Sequence, residues 1–378
     1  MTIDKTHPIR VLHIASGDLW AGAEVQLFTL AKALKNNTNT IVDIILLNHG
    51  ILEKKLLGCD IRVIVLDESK LNGLVILWKI IRIVHQIEPD VVHTHRIKEN
   101  ILGCLAARLN GNIPTLRTSH GASELDPSWK QLSKRIIRWL NLICGRYFQH
   151  VIVAVSEDLS EKLKSDYPSK KIHVIENGID LEAMQNYANN KCLNNQTDNF
   201  KVGFAGRLVP VKRVDIVINT ARFILDNYPN LKITFYIYGD GPQREELEQL
   251  SQKLKTDKIV YFKGHCDNIL QEVQELNALL LTSDHEGLPM VLLEAMALGT
   301  PIISHAVGGI PHLLNQGSCG ILIPENNARN YATAINQLAN NPKKVSTITQ
   351  LATQRVKENY SANANAQAYY LQYKSLLM

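Results

Sequence analysis

The chain has 378 residues, enough for two α/β domains, and its 41 basic and 36 acidic residues leave a net charge of only +5. So small an excess argues against a nucleic-acid-binding protein. The six cysteines lack C-x-x-C pairs and metal-finger spacing, and the N-terminus lacks the apolar core of a signal peptide, so we expect a soluble cytoplasmic protein.

Short β-rich apolar runs alternate with helical patterns along the whole chain. This alternation predicts an α/β fold with doubly wound parallel sheets. The composition becomes polar and rich in asparagine near residue 186, so we predict two Rossmann-like domains at 1–185 and 200–360, a linker at 186–199, and a final helix at 361–378. The runs predicted as strands are Val11–Ala15, Val42–Leu47, Arg62–Leu66, Val91–Thr94, Val151–Val155, Val202–Ala205, Ile233–Tyr238, Ile259–Phe262, Ala278–Thr282 and Pro301–Ser304.

Two turns in the N-terminal half follow predicted strands. The segment SGDLWAGAE (16–24) has glycines, among them Gly22, that let backbone approach a ligand closely, although a plain β–α turn explains them almost as well. The segment TSHGASE (118–124) places His120 directly after a strand, where ligands bind in open α/β sheets. This position favours a functional histidine, whereas His93 and His95 in VVHTHR are interpreted as mainly structural.

Two cations follow the predicted strand at 202–205. Arg207 and Lys212 stand five residues apart, on either side of Pro210, and can converge on a diphosphate. They would offset charge on a departing nucleotide without a metal; the alternative is a pair of ordinary surface cations. Further along, YGDGP (238–242) indicates a turn, and Gly264 ends the next strand.

Residues 283–314 carry the strongest signal. Glu286 and Glu294 stand eight apart across a Gly-Leu-Pro step, Pro289 suits the first turn of a helix, and Gly299 suits its end. The helix is apolar nearly all round and therefore buried, so the carboxylate of Glu294 needs hydrogen-bond donors. A nucleotide sugar would supply ribose hydroxyls to Glu294 and phosphate to the helix N-terminus. A structural hydrogen bond from Glu294 is the alternative.

Together these segments resemble the retaining family 4 glycosyltransferases, which have the GT-B fold of two Rossmann-like domains facing across a cleft. The E-x7-E signature, the G-R-x-x-x-x-K motif and the N-G-[VI]-D turn (177–180) are all present. Two positions depart from the pattern, because Ala21 replaces the first glycine of the Gly-Gly loop and Arg213 replaces the glycine after the lysine. We expect Arg213 to add a phosphate or acceptor contact.

The resemblance implies roles for particular residues. It assigns catalysis to His120, which would face the donor sugar, and to Glu286, Arg207 and Lys212. The donor-binding residues that it implies are Gly22, Arg207, Lys212, Gly264, Glu286, Gly287, Leu288, Pro289, Met290 and Glu294.

The implied activity is a retaining, metal-independent transfer of a sugar from a UDP- or GDP-sugar to a glycan or lipid-linked acceptor, in cell-surface polysaccharide or glycolipid assembly. No cofactor is expected, since the sequence contains no Asp-x-Asp, no Walker A loop and no cluster with metal-ligand spacing. Two alternatives remain: a nucleotide-sugar epimerase on the same fold, and a non-catalytic nucleotide-sugar-binding subunit.

A basic amphipathic segment at 129–146 suggests a membrane surface. Lys130, Lys134 and Arg138 lie on one face of a helical projection, and no acidic residue is present. Such a helix suits an anionic bilayer and would place the protein peripherally on the cytoplasmic face of the inner membrane. The apolar face, expected to pack inward on the sheet, comprises Trp129, Leu132, Ile136, Leu140 and Ile143.

Overall fold

The computed structural model describes residues 7–378 except 19, 122–131, 190–198 and 267. The chain divides into two compact units. The first comprises the residues up to Gly178 together with Ala362–Met378, and the second comprises Ile179–Ser361.

The first unit is built on a parallel sheet in the order β3-β2-β1-β4-β5-β6-β7. Successive residues of its first strand enter cores on opposite faces of the sheet: Val11 packs with Leu30 on one face, and Leu12 packs with Ile80 on the other. The strands are β1 (Ile9–Ala15), β2 (Thr40–Leu46), β3 (Arg62–Val65), β4 (Val91–Thr94), β5 (Thr115–Ser119), β6 (Val151–Ala154) and β7 (Ile172–Val174). The helices between them are α1 (Gly22–Asn37), α2 (Ile51–Leu57), α3 (Gly73–Ile87), α4 (Ile97–Leu109), α5 (Leu132–Ile143) and α6 (Glu157–Leu163).

The second unit repeats this plan with a parallel sheet in the order β10-β9-β8-β11-β12-β13. Its core packs Phe204 and Phe235 of two central strands against buried helix residues such as Ile218 and Tyr331. The strands are β8 (Phe200–Ala205), β9 (Ile233–Tyr238), β10 (Val260–Gly264), β11 (Ala278–Leu281), β12 (Ile302–His305) and β13 (Ile321–Ile323). The helices are α7 (Leu181–Asn189), α8 (Val214–Asn227), α9 (Arg244–Lys253), α10 (Ile269–Gln274), α11 (Met290–Leu298), α12 (Ile310–Leu313), α13 (Ala328–Ala339) and α14 (Pro342–Asn359).

The predicted class of two doubly wound parallel sheets is confirmed, and the ten predicted strands agree with the observed bounds to within two residues. In each sheet the strand order reverses direction at one place. The reversal lies between β1 and β4 in the first unit and between β8 and β11 in the second. Ligands of open α/β sheets bind outside the carboxyl ends of the strands at such a reversal. Functional side chains are therefore expected at these two places.

The boundary between the units differs from the predicted one. Ile179 donates its N–H to the carbonyl of Tyr360 at 2.9 Å, so the chain enters the second unit directly after Gly178 rather than at 185. The predicted linker is also wrong at 186–189, because these residues continue α7, where the carbonyl of Tyr187 accepts from Gln274 at 2.9 Å. The remainder of that linker, 190–198, lies outside the described residues.

The final helix, α15 (Ala362–Leu377), packs on the first unit. Its buried Tyr369 and Tyr373 belong to the same core as Val11 and Leu30. Asn365 accepts from Gln26 of α1 at 3.2 Å and donates to a backbone carbonyl at 2.6 Å. Buried tyrosines and a paired amide thus fix this helix to the sheet that carries β1 and β4.

Candidate active site

An ion pair joins the loops that follow β8 and β11, the two strands at the reversal of the second sheet. Lys212 Nζ lies 2.5 Å from Glu286 Oε1, and both side chains are largely buried. The backbone holds the two loops together, since Thr282 donates to the carbonyl of Lys212 and the N–H of Asp284 donates to that of Val211, each at 2.8 Å. The sequence-predicted residues Lys212 and Glu286 are therefore brought into direct contact.

Arg207 and Arg213, the other two cations of this loop, differ from Lys212 in their ion pairs. Arg207 is exposed and forms no ion pair with any described residue, so its guanidinium is available to an anion. Arg213 adopts the left-handed conformation, φ 48° and ψ 47°, at the position where the family pattern has glycine. Its guanidinium binds Asp215 at 3.0 Å and lies 3.5 Å from Asp284. Two carboxylates therefore hold this side chain, and the phosphate or acceptor contact expected of it stays a prediction.

The helix start predicted after Glu286 is present. Pro289 is the residue just before α11, with φ −71°, rather than its first helical residue. The backbone N–H groups of Met290 and Val291 donate to no acceptor among the described residues, as expected for the first turn of a helix. Gly287 and Leu288 are buried and lead the chain into this turn. The free N–H groups of Met290 and Val291 give this helix start the character of an anion site.

Glu294 lies on this buried helix. Among the described residues its carboxylate forms no hydrogen bond and no ion pair, although the side chain is mostly buried. Burial raises the pKa of Glu294 to about 7, because the charged form loses hydration that nothing else replaces. A structural hydrogen bond, the alternative interpretation of this residue, is absent from the part of the chain that the structure describes.

Two glycines that the sequence-based assignment left without a role hold the Glu286 loop in place. Gly308 has φ 58°, and a Cβ on it would stand 1.9 Å from the carbonyl oxygen of Glu286. The N–H of Gly309 donates to the carbonyl of Gly287 at 3.0 Å. Only glycine at 308 allows this approach, so the Gly-Gly pair before α12 supports the site. The pair of glycines after a buried strand was the available sequence signal.

Gly264 ends β10, at the same carboxyl edge of the second sheet. It has φ 70°, and its carbonyl accepts from the N–H of Gly239 at 2.7 Å. On the neighbouring strand Tyr238 donates its hydroxyl to Glu272 at 2.7 Å, and burial raises the pKa of this tyrosine. The resemblance implies donor binding at Gly264, and the structure places this glycine beside the aromatic side chain of Tyr238.

The remaining two predicted residues lie in the first unit. Gly22 is the exposed first residue of α1, and the nearby buried Glu24 is ion-paired with Arg96. His120 follows β5, and its Nε2 lies 3.3 Å from Nδ1 of His95. The interpretation of His95 as mainly structural is thus incomplete, because it contacts the histidine to which a function was assigned.

The basic helix is turned differently from the expectation. Of its expected inward face, Ile136 is 51% exposed and Leu140 also faces out, with Trp139 beside them 61% exposed. The inward position is taken by Asn141, which accepts from Arg117 at 3.1 Å. This buried polar contact sets the rotation of α5, and a helical projection of the apolar residues does not reveal it. Residues 129–131 lie outside the described residues, as do the side chains of Leu132 and Lys134.

Comparison with known proteins agrees with this geometry. The sequence model of Glycosyltransferase Family 4 matches residues 20–183, and that of Glycosyl transferases group 1 matches residues 186–355. The chain belongs to glycosyltransferase family 4. The first match covers most of the first unit and ends a few residues inside the second, and the second match lies within the second unit, so this glycosyltransferase carries both parts of the family's architecture.

Curated relatives are glycosyltransferases as well. Over 274 residues the chain is 29% identical to UDP-Gal:alpha-D-GlcNAc-diphosphoundecaprenol alpha-1,3-galactosyltransferase of Escherichia coli, covering 70% of this chain and 69% of that protein. A D-inositol 3-phosphate glycosyltransferase of Streptomyces bingchenggensis is 26% identical over 275 residues, covering 67% of this chain but only 59% of the relative.

Solved structures share the fold. Anabaena HepE in complex with UDP-glucose superposes with a TM-score of 0.81 at 22% identity, over 97% of this chain and all of that one. Staphylococcus aureus TarM in complex with UDP has a TM-score of 0.77 at 12% identity, over 97% of this chain and 100% of that one. These likenesses confirm the GT-B fold. Within the described residues, none of the helices combines the length and apolarity needed to cross a membrane.

Proposed function

We propose that this glycosyltransferase is a retaining, metal-independent enzyme that transfers a sugar from a nucleoside diphosphate donor to an acceptor hydroxyl. One observation carries the proposal. Three features stand at a single sheet reversal. They are Arg207, which has no ion pair with any described residue, the pair of Lys212 with Glu286, and a helix start whose first N–H groups have no described acceptor. Such a set matches a diphosphate, because fixed positive charge and oriented donors stabilise an anion that gains charge as it leaves.

The remaining groups suit the sugar and the nucleoside. Glu294 has no partner among the described residues, and ribose hydroxyls would donate to it. Glu286 would accept from hydroxyls of the transferred sugar while it holds Lys212 near the diphosphate. His120, from the first unit, would contact the donor sugar, and we propose that Gly22 and Gly264 lie against the donor through their backbone.

In the reaction, the bond between the anomeric carbon and the diphosphate oxygen breaks, and a bond to the acceptor oxygen forms on the same face of the sugar. The acceptor proton passes to the leaving phosphate oxygen. This route requires no side-chain nucleophile. Arg207, Lys212 and the first turn of α11 would hold the charge that develops on the departing diphosphate.

We propose a UDP-sugar as the donor. The relative from E. coli is named for UDP-Gal, and the HepE structure contains UDP-glucose. Thermal-shift measurements with UDP-, GDP- and ADP-sugars test this choice, since a ligand at 100 times its dissociation constant adds about 2.7 kcal/mol of stability. A rise in Tm with GDP-sugars alone would move the assignment to GDP, and no rise with any of them would remove the proposal.

Independence from metals has its own test. Activity is expected to survive EDTA, because Arg207 and Lys212 would supply the positive charge that a divalent ion supplies elsewhere. Loss of activity on chelation that Mg²⁺ or Mn²⁺ restores would contradict this part of the proposal. Release of the free nucleotide only in the presence of an acceptor would distinguish a transferase from an epimerase and from a subunit that binds without reaction.

For the acceptor we propose a lipid-linked glycan, in cell-surface polysaccharide or glycolipid assembly. The E. coli relative acts on a diphosphoundecaprenol-linked sugar, as its name states. In this chain α5 presents the exposed side chains of Ile136, Trp139 and Leu140, with the exposed Arg135 beside them. An outward apolar face flanked by cations suits the surface of an anionic bilayer.

Vesicle sedimentation tests the membrane contact. Wild type is expected to sediment with vesicles that contain anionic lipid at low salt, and less at high salt, because Arg135 and its basic neighbours contribute through screened attraction. Trp139→Ala should reduce binding severalfold, whereas Tyr261→Ala, an aromatic residue 46% exposed in the second unit, should not. Equal binding to neutral and anionic vesicles, or none at low salt, would indicate a soluble acceptor.

A further inference from the structure

Four histidines are grouped at the strand reversal of the first unit. His13 of β1 and His93 of β4 are register partners, with ring centroids 4.5 Å apart, and the rings of His93 and His95 are 4.4 Å apart. His120 follows β5 and stacks on His95. Except for His120, which is partly exposed, these side chains are buried.

Three of them form a continuous hydrogen-bonded array. Nδ1 of His13 lies 3.1 Å from Nε2 of His95, and Nδ1 of His95 lies 3.3 Å from Nε2 of His120. His93 stands beside the array, since its Nδ1 is bonded to the hydroxyl of Tyr373 and its Nε2 to that of Thr118, each at 2.8 Å. The nitrogens of His13, His93 and His95 lie within 4.8 Å of one another, but a metal ion would have to displace these bonds.

The imidazoles of the array are neutral. Burial lowers the pKa of His13 to about 3 and, with the charge of Arg96, that of His120 to about 3 as well. Burial also lowers the pKa of His95 well below its usual value. Each ring therefore carries a single N–H, and each hydrogen bond in the array needs one donor and one acceptor. The tautomers of the three rings consequently change together.

The array has two possible arrangements of its protons, and His13, at its buried end, determines which one is preferred. Nε2 of His13 is buried and has no hydrogen-bond partner within the part of the chain that the structure describes. Buried N–H groups without an acceptor are rarer in proteins than buried acceptors without a donor, so the bare nitrogen is preferred there. His13 then carries its proton on Nδ1 and donates to His95, which donates to His120 through its own Nδ1. The proton of His120 is left on Nδ1, which has no partner among the described residues.

We propose that His13 and His95 are positioning residues that fix His120 as a neutral Nδ1–H donor. This rests on the proposed function in one respect, namely that His120 contacts the donor sugar. In that role the array gives His120 a donor for a hydroxyl or phosphate oxygen of the nucleotide sugar and keeps it from acting as an acceptor.

A matched pair of variants at His13 tests the array. In His13→Met the thioether can only accept, so His95 should turn its N–H towards it, and the proton of His120 should move to Nε2. In His13→Gln the amide can still donate to His95, so His120 should keep its proton on Nδ1. Tyr373→Phe removes a hydrogen bond from His93, in the same cluster but outside the array, and should leave His120 unchanged.

The readout is the imidazole ¹⁵N spectrum of the full chain labelled in histidine, with His120 assigned from the spectrum of His120→Asn. An Nδ1-protonated His120 in wild type and in His13→Gln, changing to Nε2-protonated in His13→Met, supports the proposal. An Nε2-protonated His120 in wild type overturns it even if His13→Met fails to fold. An unchanged His120 in a folded His13→Met, or a changed one in Tyr373→Phe, overturns it as well.

Kinetics connect the array to transfer. His13→Met should lower kcat by roughly tenfold, as loss of one oriented hydrogen bond predicts, with His13→Gln close to wild type. If wild type transfers sugar and His13→Met changes the tautomer but not kcat, the array does not serve His120 in the reaction, and the proposal fails. If wild type itself transfers no sugar from any nucleotide donor, the proposed function fails, while the spectra still decide the state of the array.

Discussion

Each of the two sheets has one strand reversal, and the side chains at the two reversals differ in charge. At the reversal of the second sheet, Lys212 and Glu286 form a largely buried ion pair beside the unpaired Arg207. At the reversal of the first sheet, His13 and His95 are buried, hydrogen-bonded and uncharged. A charged arrangement suits a diphosphate, whereas an uncharged one suits hydroxyl groups, which need direction more than charge.

The difference also shows how buried ionisable side chains are stabilised at each reversal. Charge survives at the second reversal because an opposite charge lies 2.5 Å away. At the first reversal no described carboxylate is paired with these histidines, so burial removes their charge, and the hydrogen bonds between the rings remain. Charge should therefore carry the function of the second site, and hydrogen-bond direction that of the first.

The largest loss of activity is expected at the charged site, which comprises Arg207, Lys212 and Glu286. Lys212→Ala should lower kcat by about 100-fold or more, and Arg207→Ala by about 100-fold, because each removes positive charge that acts most strongly in the transition state. Lys212→Ala also leaves Glu286 without its partner. Steady-state kinetics with saturating donor measures this. Lys201→Ala, which removes a lysine paired with Glu275 at the surface, is the control and should be near wild type. Losses confined to KM would show that the cations only bind the ground state.

Glu294→Gln should weaken nucleotide binding next most strongly. A hydrogen bond to a charged group contributes about 1.5–3 kcal/mol, so the dissociation constant should rise by roughly 10- to 100-fold. Calorimetric titration with UDP measures it, with Glu275→Gln as a surface control. An unchanged affinity for UDP would show that Glu294 is a structural residue and that it does not bind the ribose.

Much of the charged site was predictable because its residues are close in sequence or follow strands directly. Glu286, Pro289 and Glu294 fall within one strand–loop–helix unit, and alternation alone identified the strands that precede them. The same holds for the final helix, whose residues 362–377 form one uninterrupted pattern. Local chemistry and hydrophobic period determine such features, and both can be read without tertiary contacts.

The uncharged site was not predictable in the same way. The array joins His13 to His95 across 82 positions, through the pairing of two parallel strands. Likewise, the rotation of α5 depends on Asn141 finding Arg117, and the boundary at Gly178 depends on Ile179 finding Tyr360. Each of these outcomes is set by a partner far away in sequence, which composition and periodicity do not specify.

A pH dependence of about tenfold is expected from Glu294. Its folded pKa of about 7 means that the carboxyl is mostly protonated at pH 6 and mostly ionised at pH 8. Hydroxyl donors bind the ionised form, so affinity for a nucleotide sugar should rise by about tenfold from pH 6 to pH 8, with a proton released on binding. Titration calorimetry in buffers of different ionisation enthalpy measures the released proton. A Glu294→Gln variant that keeps the same dependence would assign it to another group.

Arg213 should give the smallest effect, since its guanidinium is bound by Asp215 and Asp284 rather than free for the donor. Its left-handed backbone costs a non-glycine residue about 1 kcal/mol, and a half-exposed ion pair returns about 0–1 kcal/mol. Arg213→Gly removes both the strain and the ion pair, so its free energy of unfolding in urea should exceed that of wild type by about 0–1 kcal/mol. Arg213→Ala keeps the strain and loses the pair.

Arg213→Ala should therefore be about 1 kcal/mol less stable than Arg213→Gly, and nucleotide affinity should be the same in both. Equal stability of the two variants would mean that the left-handed conformation relaxes. A tenfold loss of nucleotide affinity in both variants would mean that Arg213 leaves its carboxylates for the phosphate when the donor binds. The charged site would then contain three cations that act on the donor rather than two.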